Sequence, residues 1–177
     1  IARPKVALLN IGAEEMKGKE EIHEAAKLIK RAKLDIDFIG YIEPHEIPEG
    51  KADVIVTDGF TGNIALKSIE GTAKLVVRLI KDGIKKSFIA KLGLPFMLGV
   101  GMNIKKTMDP RLYNGAMLVG LNGLTVKSHG GTDALGYSVA VGNAVSLVRQ
   151  NFVPTIKDEL ETVDLDALSE EILYDSY

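Results

Sequence analysis

The chain contains no cysteine among its 177 residues. That absence excludes a disulfide framework, a thiolate metal site and a cysteine nucleophile. Neither sign of charge dominates: 22 Lys and Arg stand against 24 Asp and Glu, a net charge of −2, so no global argument exists for nucleic-acid binding. The opening IARPKVALLN has no long apolar stretch and no small-residue cleavage site, so it is not a signal peptide. The phosphate-loop spacing G-x-x-x-x-G-K-[ST] is missing, and no G-x-G-x-x-G follows a strand pattern. G-x-S-x-G is missing too, which removes the nucleophile elbow of a serine hydrolase. Leu92 to Met102 is apolar but falls short of the roughly 20 residues a bilayer needs. Pro95 and three glycines also interrupt it.

What is present is an ordinary soluble composition, 46% hydrophobic and 26% charged, enough for one domain or half of a larger one. The cytoplasm is the expected compartment. The first residues read as an interior strand without a leading methionine, so the chain is expected to be part of a longer protein.

Short apolar runs alternate with helical patterns. Val6 to Ile11 reads as a buried strand, Glu20 to Lys33 as an amphipathic helix, and Ile36 to Ile42 as a second strand. Pro44 to Gly50 is a loop, Ala52 to Thr57 a third strand, and Asn63 opens a long helix. An irregular segment follows. Met117 to Leu121 and Leu124 to Val126 read as strands, Asp133 to Phe152 as a small-residue helix, and the tail after Pro154 as one or two short helices. This order predicts an α/β fold, a layered, mostly parallel sheet with flanking helices. Charge is blocked along the chain: eight bases against one acid between Lys74 and Thr107, then eight acids and no base after Lys157. The acidic block reads as a solvated face.

Three polar, glycine-bearing loops follow predicted strands, and parallel strands bring such ends to one edge. In DGFTGN, Gly59 and Gly62 admit close backbone approach, while Thr61 and Asn63 offer a hydroxyl and an amide. Free N–H groups at a helix start make an anion site, and the alternative is a capped turn and nothing more. In Asn10 to Gly18, Lys17 swings from a short loop into the same crevice, where an ammonium suits phosphate or a developing oxyanion. The third loop, Lys127 to Asp133, carries His129 and Thr132.

Together VALLNIGAEEMKG, ADVIVTDGFTGNIALK, YNGAMLVGLNG and TVKSHGGTDA resemble the phosphate acyltransferase (PlsX) family of bacterial phospholipid synthesis, across essentially the whole chain. The resemblance implies a fold like isocitrate and isopropylmalate dehydrogenases, and a homodimer. It implies transfer of a fatty acyl group from acyl carrier protein to inorganic phosphate, with no cofactor and no metal. Residues 1–177 match the C-terminal half: the family's MGGD-like opening and Ala-Gly-Asn-Thr-Gly loop do not occur here. The family's His-Gly-Ser-Ser-Asp is His-Gly-Gly-Thr-Asp in this chain, so Thr132 keeps one hydroxyl and Gly131 removes the other.

In that reaction the nucleophile is the substrate phosphate. Lys17 matches an active-site lysine of the family and is expected to stabilise the oxyanion or protonate the leaving group. Asn10, Thr61, Gly62, Asn63, His129 and Thr132 are expected to contact phosphate. Asp58, itself an anion, would orient Lys17 or the loop. Residues from about 85 to 115 form an expected basic and apolar hairpin, with Phe88, Leu94, Phe96, Met97 and Leu98 facing an anionic membrane peripherally. The same lysines suit an acidic carrier protein, and the alternative is a hairpin that packs in a dimer interface. Two other readings stay open: a phosphate acetyl- or butyryltransferase using coenzyme A, and a non-catalytic membrane- or carrier-docking fragment.

Overall fold

The computed structural model describes residues 1–14, 16–32 and 34–163. They fall into two compact units, Ile1–Asp82 and Gly83–Val163.

The first unit is an α/β layer. Strand β1 (Lys5–Leu9) lies between β2 (Asp37–Ile42) and β3 (Val54–Val56), and both pairings are parallel. A central parallel strand is covered on both faces, and the run Val-Ala-Leu-Leu supplies that cover without alternation: Val6 to Leu9 are all buried. Ala7, Leu9 and Ile42 form the core, with Ile47, Ala52, Ile55 and Ala65 packed on it. Helix α1 (Glu20–Arg31) connects β1 to β2. It carries Glu20 and Glu21 in its first turn and Lys30 and Arg31 in its last, which complements the helix dipole. Between β2 and β3 the expected loop is a 3-10 turn, Pro44–Glu49, closed at its start by a reciprocal Glu43–Glu46 capping box.

Helix α2 (Gly59–Lys86) begins four residues earlier than Asn63. The stretch expected to be a loop is its first turn, because Asp58 accepts a hydrogen bond from the Thr61 backbone N–H at 2.8 Å and caps it.

The segment expected to be irregular is also helical. Helix α3 (Phe88–Thr107) starts where the Ser87 hydroxyl accepts from the Ala90 N–H at 3.2 Å, and it runs through Pro95 and the glycines. Its 20 residues extend about 30 Å at the rise of an α-helix. The stretch Phe88–Tyr113 therefore reaches the length and apolarity of a membrane span by composition alone, which Leu92 to Met102 did not. Local helical hydrogen bonding bridges breakers that the sequence reading treated as interruptions. No residue of α3 is buried.

The remainder of the second unit is small. After a 3-10 turn (Pro110–Tyr113), strands β4 (Ala116–Met117) and β5 (Val126–Lys127) form a two-residue antiparallel ribbon. The longer strands expected there are confined to these residues, and the ribbon is a separate sheet from the parallel one. The third loop therefore follows a strand of the antiparallel ribbon and not a strand of the parallel sheet. Helix α4 (Ala134–Arg149) and α5 (Phe152–Glu161) complete the unit, and α5 begins before Pro154, not after it. The rest of the predicted tail helices, and most of the acidic block, lie outside the described residues.

Candidate active site

In the first unit β1 and β3 are hydrogen-bonded neighbours in register, Leu8 opposite Val56, so the loops after them leave the sheet at one edge. Asn10 stands at the end of β1, 3% exposed. Its side-chain N–H donates to the Lys17 carbonyl at 2.7 Å, and its Oδ1 accepts from the Ile11 N–H at 2.9 Å. The Lys17 ammonium lies 2.9 Å from Glu14 Oε1, on a side chain that is 52% exposed. Hydrogen bonding to Glu14 pushes the lysine up from its ordinary pKa, and Glu14 and Glu43 add to this through their charge.

Across the edge, Asp58 accepts from the Thr61 N–H at 2.8 Å and the Thr61 hydroxyl at 2.5 Å. These bonds, hydroxyl first, hold the Asp58 carboxyl below its usual range, and the charge of Lys19 lowers it further. The Asp58 carboxylate thus occupies the capping position that an external anion was expected to take. Gly62 has a local reason as well: a Cβ there would stand 2.6 Å from Thr57 Cγ2.

In the second unit the loop before α4 is tied to Asn114, which is 7% exposed. Its side-chain N–H donates to the Ser128 hydroxyl at 2.9 Å and to the Gly136 carbonyl at 2.8 Å, and Thr132 Oγ1 lies at 3.4 Å. Its Oδ1 accepts from the His129 N–H at 2.9 Å. His129 Nδ1 accepts from the Gly131 N–H at 3.1 Å, which assigns the proton of the neutral ring to Nε2. Asp133 caps α4 through the Gly136 N–H at 3.1 Å. Arg111 joins this cap to the preceding turn, donating to Asp133 at 2.9 Å and to both oxygens of Asp109, at 2.9 Å and 2.6 Å. Its guanidinium pulls the Asp109 carboxyl down to about 2.

Comparison with known proteins decides what this assembly is part of. A family model described as a fatty acid synthesis protein matches residues 1–155. The chain is 47% identical over 161 residues to a phosphate acyltransferase of Paramagnetospirillum magneticum, covering 91% of this chain and 46% of that protein. The chain belongs to the phosphate acyltransferase family. A phosphate acyltransferase of Rhodospirillum centenum is 49% identical over 160 residues, with 90% and 45% coverage. One from Parvibaculum lavamentivorans is 45% identical over 169 residues, with 96% and 45% coverage. The chain spans about half the length of the curated relatives it matches.

Within this chain, the expected site residues fall into three groups. Asn10 and Lys17 are brought together, as are Asp58 and Thr61, on one edge of one sheet. Asn63 is exposed in the first turn of α2. His129 and Thr132 belong to the second unit, linked by the Thr132 N–H to the His129 carbonyl at 3.1 Å. The hydroxyl of Thr132 faces inward: a Cβ on Gly136 would overlap it. Asp58 pairs with Thr61 rather than with Lys17, whose partner is Glu14.

Sequence reasoning missed Glu14, Lys19, Asn114 and Arg111. The spacing Glu14-x-x-Lys17 was a usable signal, and Asn114 stands inside the motif YNG. Asp109-x-Arg111 was a local signal, but the bridge from Arg111 to Asp133 had none, because Asp133 is 22 residues away.

Proposed function

We propose that the protein transfers a fatty acyl group from an acyl carrier protein thioester to inorganic phosphate. A phosphate oxygen attacks the thioester carbonyl carbon. The resulting tetrahedral oxyanion collapses, the C–S bond breaks, and acyl phosphate leaves with the carrier's thiolate as the other product. In this reading Lys17 stabilises that oxyanion electrostatically and gives a proton to the departing sulfur. The observation that carries this reading is a half-exposed ammonium on a loop that Asn10 ties to the end of the central parallel strand, in a chain of this family. The chemistry asks no nucleophile of the protein, in keeping with a sequence that has no cysteine.

Thr61, Gly62 and Asn63, in the first turn of α2, are proposed to bound the phosphate position on the β3 side. The second-unit loop is proposed separately as an oxyanion contact through His129 Nε2, with Thr132 bracing the loop from inside. The reaction is tested by incubating the full-length protein with acyl carrier protein thioester and phosphate, and trapping acyl phosphate with hydroxylamine. Hydroxamate formation from the carrier thioester, and much less from acetyl- or butyryl-coenzyme A, is the expected result. The reverse preference would assign it to short-chain transfer.

Helices α2 and α3 support a peripheral membrane role. Phe88, Leu94, Phe96, Met97 and Leu98 are all exposed, Phe96 at 91%, and lysines flank them at 85, 86, 105 and 106. An apolar surface of this extent, rimmed by positive charge, suits an anionic bilayer. Phe96→Glu with Leu98→Glu should abolish flotation on phosphatidylglycerol vesicles while turnover in solution stays intact. Loss of the dimer in light scattering with flotation retained would instead assign this surface to a second copy of the chain.

A further inference from the structure

The loop from Asn10 to Gly18 has a construction that the proposed chemistry alone does not require. Its buried side chain among the described residues, Asn10, donates to the backbone carbonyl of Lys17 itself. Gly18 has φ +103°, and any Cβ there would overlap the Asn10 amide. Gly12 is buried, and a Cβ there would overlap Lys17 Cδ and stand 2.7 Å from Glu14 Oε2. The lysine stem therefore lies across the α-carbon of Gly12. Glu14 holds its far end at 2.9 Å. A buried amide anchors one end of the side chain, a bare α-carbon supports its middle, and a carboxylate steadies its tip.

We propose that Asn10 is a positioning residue for Lys17 and not a phosphate ligand, with Gly12 as the surface that sets the course of the lysine side chain. This inference rests on the reading of Lys17 as the catalytic cation. Both of the Asn10 side chain's polar atoms already have partners within the loop, an N–H donating to Lys17 O and Oδ1 accepting from Ile11 N–H. An amide buried and engaged in this way fixes a loop and is poorly available to a substrate. A flexible four-carbon stem loses reactivity when its ammonium samples many places, so restricting it raises the fraction of time spent at the reacting centre.

The test compares Asn10→Ala, Gly12→Ala and Lys17→Ala in the full-length protein, with acyl carrier protein thioester and phosphate. Gly12→Ala is the cleaner probe, because Gly12 lies outside the left-handed region and its new methyl group meets mainly mobile side-chain atoms. Gly12→Ala and Asn10→Ala should each lower kcat at least tenfold and leave KM for phosphate within twofold. Combined with Lys17→Ala, neither should lower kcat further, since the residue each acts through is gone. Wild-type kcat in Gly12→Ala, losses that multiply with that of Lys17→Ala, or a raised phosphate KM in Asn10→Ala would each overturn the positioning role while leaving Lys17 catalytic. An unchanged rate in Lys17→Ala itself would remove the lysine reading and this inference together.

Discussion

The two units contain one buried polar side chain each among the described residues, and both are asparagines. Asn10 and Asn114 each sit behind a polar loop, and each has a glycine in the fold beside it where a methyl group does not fit, Gly18 in one case and Gly115 in the other. What they hold differs. Asn10 holds the backbone of a cationic residue, Lys17, whose ammonium donates to the exposed carboxylate of Glu14. Asn114 holds a loop whose aspartate is already paired, since Arg111 is gripped by Asp109 and Asp133. An exposed ion pair is worth little and exchanges partners readily, whereas a bidentate guanidinium pair is fixed. The same device, a satisfied buried amide, thus stands behind an exchangeable cation in one loop and a fixed one in the other.

The sharpest way to break this contrast is to remove each cation. Lys17→Ala should lower kcat about a hundredfold, roughly 2.7 kcal/mol of transition-state stabilisation, with little change in unfolding. Arg111→Ala should do the opposite, lowering the unfolding midpoint more than the rate. Equal losses of rate in both would show that the second loop is chemical too. The next effect in size is Asn114→Ala. It leaves the His129 N–H without its acceptor and unties the Ser128 end of the loop from α4, and should cost about 2 kcal/mol of stability in urea unfolding. His129→Ala comes third: a phosphate KM raised about tenfold, with KM for the thioester unchanged, is expected if Nε2 donates to an oxyanion.

How far the sequence carries depends on the range of the interaction. The parallel layer was legible because its signals are local, an apolar run such as Val6 to Leu9 and a periodic charge pattern such as Glu20 to Arg31. The edge where Lys17 and Asp58 stand followed from strand order. The N-terminus of α2 was misread because Asp58, taken for a loop residue, reaches three residues forward to cap it. The α3 helix was hidden by Pro95 and three glycines, residues whose cost a helix can absorb once the surrounding turns are formed. The strands before the third loop were overcalled: Met117 to Leu121 and Leu124 to Val126 have the composition of strands, yet only two residues on each side pair. Its pair with Asp109 is local, but nothing local could reveal that Arg111 also reaches the α4 cap, which requires Asp133, 22 residues on, to fold back onto it.

The smallest predicted effect concerns acid. In the folded chain the Asp109 carboxyl is held at about 2 by Arg111, against an ordinary 3.8, so its folded pKa is depressed. A depressed carboxyl contributes stability that is fully present above its unfolded pKa and is lost as pH falls through the folded one. Wild type should therefore be more stable than Asp109→Asn by a constant margin above about pH 5, and the margin should close between about pH 4 and 2. Glu14 is also lowered, chiefly by its hydrogen bond with Lys17, but both side chains of that pair are more than half exposed. Glu14→Gln should accordingly show no resolvable margin at any pH. The Asp109 side chain, by contrast, is only 16% exposed, so its attraction to Arg111 is less screened. Urea midpoints of the three proteins, measured at half-unit steps from pH 6 to 2, give the comparison directly. A margin for Glu14→Gln as large as that for Asp109→Asn would mean that the lysine's partner is fixed rather than exchangeable, and the distinction between the two loops would be lost.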